Sequence, residues 1–115
     1  MDDFLKVKDR TFKFKVPSAW DGAAIFNYLA SYDMPFGASF VVGVDAGKKP
    51  LPPEELEKLM KLSLKYCYED LPGNPAPVVD EEGNVGIING DAPLLTKIAV
   101  QYLLFFMDWW KAASL

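Results

Sequence analysis

QYLLFFMDWW, residues 101–110, places eight apolar side chains in ten positions, and the apolar run extends back to Ile98. Spanning a bilayer takes about 20 apolar residues. This run is shorter, carries Gln101 and Asp108, and meets Lys97 on its N-terminal side. An interfacial helix needs a strongly basic polar face. Lys97 and Lys111 are too few for that and are opposed by Asp108. The expectation is therefore no membrane, and a helix that is central to a core or covered by another chain. At 100° per residue, Leu94, Ile98, Tyr102, Phe105 and Trp109 form one row, and Leu95, Ala99, Leu103, Phe106 and Trp110 form the next. The aromatics from Tyr102 to Trp110 carry about 1,000 Å² of surface, too much to leave in water. The Leu94 row is expected inside. The other end, Leu103, Phe106, Met107, Trp109 and Trp110, is expected to bind a partner.

Working back from this helix, Asp91 is a good N-cap and Pro93 suits the first turn, so the helix is expected over 91–113. Before it, VVDEEGNVGII reads as a hairpin near 77–88, with DEEG as the turn and Gly83 left-handed. Its acidic residues lack the ligand spacing of a calcium loop, so no metal is expected there. PEELEKLMKLSLKYCYE reads as an amphipathic helix over 53–69. Leu56, Leu59, Met60, Ser63 and Cys67 line one side and Lys58, Lys61 and Lys65 the other.

Further upstream, MPFGASFVVGV suits a short strand or ordered loop, and AGKKPLPP an exposed linker. PSAWDGAAIFNYLASYD predicts a helix over 18–32, capped by Ser18 with Asp21 three residues on. Ile25, Leu29 and Tyr32 share a side, and Gly22, Ala23 and Ala24 permit close approach of another element. FLKVKDRTFKFKV alternates as an antiparallel pair near 4–16. A turn at Asp9–Arg10 would set Val7 opposite Phe12 and Leu5 opposite Phe14, with Lys6, Lys8 and Lys13 outside. The fold class expected is α+β, mainly helical: three main helices and two short hairpins in a single small domain, 1–115, with the helical body over 18–113.

Composition bounds the function. The 115 residues are 50% hydrophobic and 24% charged, well away from a disordered composition. Net charge is −4, which disfavours gripping nucleic acid. There is no histidine, and Cys67 is the single cysteine. A buried structural thiol is expected, with no histidine to activate it. The charged start MDDFLKVKDR lacks a signal-peptide core, and cytoplasmic location is expected. No catalytic residue, cofactor or metal site is anticipated.

Five features, taken in order, carry a resemblance: LKVKDRTFKFK, PSAWDGAAIFNYLA, a middle amphipathic helix, a loop with GNVG, and GDAPLLTKIAVQYLLFFMDWW with its paired aromatics. In this order they resemble the tail assembly chaperones of long-tailed bacteriophages and prophages of Gram-positive bacteria. The resemblance implies a non-enzymatic, mostly helical protein of the bacterial host cytoplasm. It implies a homo-oligomer that binds the tape measure protein while tail tube subunits assemble around it. Proteins of this kind are often extended by a translational frameshift. Rings or short helical stacks are the expected oligomers, since heterologous contacts generate them. A structural phage protein or a homo-oligomeric adaptor would use the same surface permanently.

Overall fold

The computed structural model describes residues 2–33 and 49–114. The expectation of a strand or ordered loop over MPFGASFVVGV lies outside these residues. Among them are three helices: α1, Ala19–Ser31; α2, Pro53–Leu64; and α3, Ala92–Ala113. The strands are β1, Phe4–Val7; β2, Arg10–Phe14; β3, Tyr32–Asp33; β4, Lys49–Pro50; β5, Cys67–Glu69; and β6, Ala76–Pro77. An antiparallel sheet runs β1-β2-β5-β6, and β3 pairs with β4 in parallel. The mainly helical α+β class follows.

The first hairpin forms with the expected faces but a different register. Leu5 pairs with Phe12 and Val7 with Arg10, so the turn is Lys8–Asp9 and the ladder is shifted by two residues. An even shift keeps every side chain on its face. Phe12 and Phe14 are buried, Leu5 and Val7 pack against them, and Lys6, Lys8 and Lys13 stay outside. Lys8 takes a left-handed φ of 56° to make the tight turn.

One boundary differs from expectation. The middle helix ends at Leu64 and not at residue 69. Ser63 Oγ donates back to the Leu59 carbonyl at 2.8 Å, and Tyr66 N–H has turned to the Ser63 carbonyl. Cys67–Glu69 then joins β2, with Phe14 opposite Cys67 and Phe12 opposite Glu69. The pull is tertiary: β2 needs a second neighbour, and Glu69 meets Arg10 there.

The hairpin expected near 77–88 is also replaced. Its turn forms: Asp80 Oδ1 accepts from the Glu82 and Asn84 amides, Gly83 N–H reaches the Asp80 carbonyl, and Gly83 has φ +83°. Its arms do not extend into strands. The first arm pairs through Ala76–Pro77 with β5 instead. The second folds into successive turns, with Ile88 and Asn89 amides on the Val85 carbonyl. Val78 and Ile88 each enter the core, which a flat ladder between them would prevent.

The core centres on α3. Ile98, Ala99, Tyr102, Leu103 and Phe106 are buried against Phe12 and Phe14 of the sheet, Ile25 and Leu29 of α1, and Leu59 and Leu64 of α2. Asp91 Oδ1 caps the helix by accepting from Leu94 N–H at 3.1 Å. Tyr102, fully buried, donates its hydroxyl to the Lys15 carbonyl at 3.1 Å and meets Phe14 edge to face.

Candidate interaction surfaces

The five residues expected to bind a partner separate into two groups. Leu103 and Phe106 are 1% and 0% exposed and belong to the core, so they offer nothing to a partner. The reason is helical phase. Leu103, Phe106 and Ala99 of the second row are buried together with Leu94, Ile98 and Tyr102 of the first, so the buried stripe runs between the two rows read from the sequence and is not confined to the Leu94 row. Met107, Trp109 and Trp110 are half-buried at its edge. Trp110 stacks on Phe26 of α1, with centroids 4.4 Å apart and planes within 9°, and also meets Phe106 at 5.6 Å. Much of their apolar surface is therefore spent inside the chain.

A larger exposed surface lies on α1. Trp20 is 88% exposed. Ala19, Ala23, Phe26, Asn27 and Ala30 share its outward side and are also exposed. At 100° per residue these six positions fall within about 120° of arc, opposite Ile25 and Leu29. None is charged. The sequence carried this signal, because the wheel places Ala19, Trp20, Ala23, Phe26, Asn27 and Ala30 on the side away from Ile25 and Leu29.

Helix α1 is held firmly at its start. Ser18 Oγ accepts from Asp21 N–H at 3.3 Å, completing half of the expected capping box. The Asp21 carboxylate turns instead to the Tyr66 hydroxyl, which donates to it, and to Lys65 Nζ at 3.1 Å. The Tyr66 hydrogen bond, reinforced by Lys65, lowers the Asp21 pKa below the usual carboxylate value. Further along, Tyr28 donates to Glu55 of α2 at 2.7 Å. Burial, with that carboxylate beside it, pushes the phenol up to about 12.

The third surface is an open groove of about 510 Å³ beside α2. Leu56 and Met60, four apart and half-buried, form one wall above the buried Leu64, and Val79, Val85 and Leu95 complete the lining. At its rim Lys61 pairs with Glu57 at 3.0 Å, so these two charges answer each other. Across from this wall lie Leu95 of α3 and the irregular segment 78–90. Arg10 fastens it to the sheet, donating from Nη2 to the Ile87 carbonyl at 3.1 Å while its fork grips Glu69 at 2.8 and 2.9 Å.

Cys67 is 1% exposed, with Sγ 3.7 Å from the Ser63 carbonyl. Burial raises its thiol pKa well above the ordinary value, which keeps it protonated. Among the described residues no group of three or more His, Cys, Asp or Glu could hold a metal ion, and no helix is long and apolar enough to cross a membrane. The fold and its surfaces define a small α+β domain with two open apolar faces on different helices. Compared with known proteins, the chain matches no family model, no curated protein and no solved structure.

Proposed function

We propose that this protein is a bacteriophage tail assembly chaperone that holds an apolar helical segment of the tape measure protein in the groove beside α2. Tail tube subunits would assemble around that client. The observation that carries the reading is the groove itself. Leu56 and Met60, four residues apart and half-buried, lie with Val79, Val85 and Leu95 along it, an apolar trough that suits the apolar stripe of an amphipathic helix. A methionine at its middle adapts to the irregular side chains of a long client. The groove supplies no charge that would demand one matching sequence, and a tape measure offers many similar helical segments in turn. The order of sequence features that resembles such chaperones points the same way. In this reading the protein acts in the host cytoplasm, performs no chemistry, and self-associates.

The test is co-purification of the full chain with a tape measure fragment. Met60→Glu puts a charge at the middle of the groove. It should reduce capture at least tenfold while the thermal midpoint stays within a few degrees, since Met60 is only half-buried. Undiminished capture by a folded Met60→Glu protein refutes the groove. Loss of capture in Trp109→Ala or Trp110→Ala with Met60→Glu neutral would move the client to the aromatic end of α3. Mass spectrometry of purified particles separates the chaperone, which leaves the finished tail, from a structural protein, which stays in it.

A further inference from the structure

We infer that the groove beside α2 selects a basic partner: an amphipathic helix whose apolar stripe is flanked by lysine or arginine. The inference rests on the reading that the groove takes a client helix, and it names the chemistry of that helix.

The mouth of the groove is acidic. Glu57 belongs to its lining, beside Leu56 and Met60. The turn Asp80–Glu82 joins Val79 to Gly83, and both of these line the groove. Lys61 shows that the two edges meet. Its Nζ lies 3.0 Å from Glu57 Oε1, and 3.9 Å from where a Cβ on Gly83 would stand. At 100° per residue, Glu54 stands within about 20° of Lys61 around α2. The mouth therefore carries Glu54, Glu57, Asp80, Glu81 and Glu82 against Lys61.

The neighbouring lysines are turned elsewhere. Lys58 pairs with Glu55 at 3.3 Å, and Lys65 with Asp21 of α1 at 3.1 Å. Among the described residues, Glu54, Asp80, Glu81 and Glu82 form no ion pair. Two of the four have local support. Asp80 accepts from the Glu82 and Asn84 amides, and Glu54, in the first turn of α2, faces the positive end of the helix dipole. Glu81 and Glu82 are exposed and have neither.

The surplus charge is concentrated here. Five carboxylates against one ammonium leave −4 at the mouth, equal to the net charge of the whole chain, so the remaining charged residues balance. A negative field beside an apolar trough draws cations to it and repels anions. The walls hold the stripe, and the mouth sets the sign of what flanks it. An acidic helix with the same stripe would press its carboxylates towards Glu57, Glu81 and Glu82. A sign is a looser demand than a sequence, so many segments of a long client can meet it.

Fluorescence anisotropy of the full chain with three labelled helical peptides tests it. The peptides share one leucine stripe and carry lysine, glutamine or glutamate beside it. At 0.1 M salt the lysine peptide should bind at least tenfold more tightly than the glutamate peptide, with the glutamine peptide between them. The screening length falls from about 10 Å at 0.1 M salt to about 3 Å at 1 M, where the three should agree within about threefold. Glu81→Lys combined with Glu82→Lys makes the mouth neutral and should cut the preference below threefold. Both positions are exposed, so the thermal midpoint should match wild type. Lys61→Gln removes the cation at the mouth and should tighten the lysine peptide at least twofold. Met60→Glu should weaken the glutamine peptide at least tenfold, which reports the groove apart from the charge preference. Equal binding of the three peptides at 0.1 M salt, with the glutamine peptide lost in Met60→Glu, overturns the inference and leaves the groove standing. A lysine preference that survives the double charge reversal also overturns it. A glutamine peptide indifferent to Met60→Glu, or no binding of any peptide at 200 µM chain, removes the groove and the inference together.

Discussion

Replacing Arg10 by methionine keeps the aliphatic stem and removes the guanidinium that joins three parts of the fold. That group makes two hydrogen bonds to Glu69, at 2.8 and 2.9 Å, and one to the Ile87 carbonyl at 3.1 Å. It also lies over the Phe12 ring, 5.0 Å from its centroid. The Glu69 side chain is 9% exposed and that of Arg10 33%. Removing one partner of a fully buried pair costs about 3–5 kcal/mol, mostly because the other charge is stranded. Water reaches this pair from the Arg10 side, so the cost is discounted to about 2–3 kcal/mol. For a chain of this length that lowers the thermal midpoint by about 10 °C.

Urea denaturation followed by far-UV circular dichroism, on Arg10→Met, Glu69→Leu and the double variant, measures it. The double variant should recover at least 1 kcal/mol of the summed single losses, because neither charge is then stranded. Hydrogen exchange adds a local readout. The Ile88 and Asn89 amides, bonded to Val85 in the turn that Arg10 fastens, should exchange faster in Arg10→Met than the global loss alone explains. An Arg10→Met loss below about 0.5 kcal/mol, or strictly additive single and double variants, would refute the claim that this pair ties the groove's outer wall to the sheet.

Gly22→Ala should stabilise the protein by about 0.5–1 kcal/mol in the same denaturation assay, because the new methyl meets Pro17 at 3.5 Å and Phe106 at 3.9 Å, ordinary contacts, while the unfolded chain loses freedom. Tyr28 should ionise with a midpoint near pH 12, seen as the phenolate absorbance missing from Tyr28→Phe; a midpoint near 10 would refute the Glu55 contact. Its folded pKa is raised, so the stability it contributes is fully present below about pH 10 and disappears as pH climbs through about 12.

Local chemistry was legible wherever one segment decides its own conformation. Ser18 and Asp91 cap the helices expected of them, and Gly83 takes the left-handed position expected after DEEG. What failed depended on partners distant in sequence. KYCYE continues the amphipathic pattern of α2, and only a strand 55 residues earlier, β2, turns it into sheet. The arms flanking DEEG alternate well enough for a hairpin, but Val78 and Ile88 fill the core from both ends of the segment. In the first hairpin, alternation fixed the faces and left the register free to move by two, because both registers bury the same residues.

The interaction surfaces follow the same logic. The aromatic end of α3 drew attention because it is the densest apolar run in the chain, yet density marks burial as readily as binding. Phe26 reaches across from α1 to stack on Trp110, and the core takes Leu103 and Phe106. Trp20 lies in a segment that reads first as a cap and a small-residue helix. Its isolation only becomes meaningful once Ile25 and Leu29 are known to point inward. A helix that must bury one side and has no charge for the other leaves an apolar face in water, a lasting liability for a monomer. On α1 that face runs through Trp20 and Phe26, and it lies on a different helix from the groove beside α2.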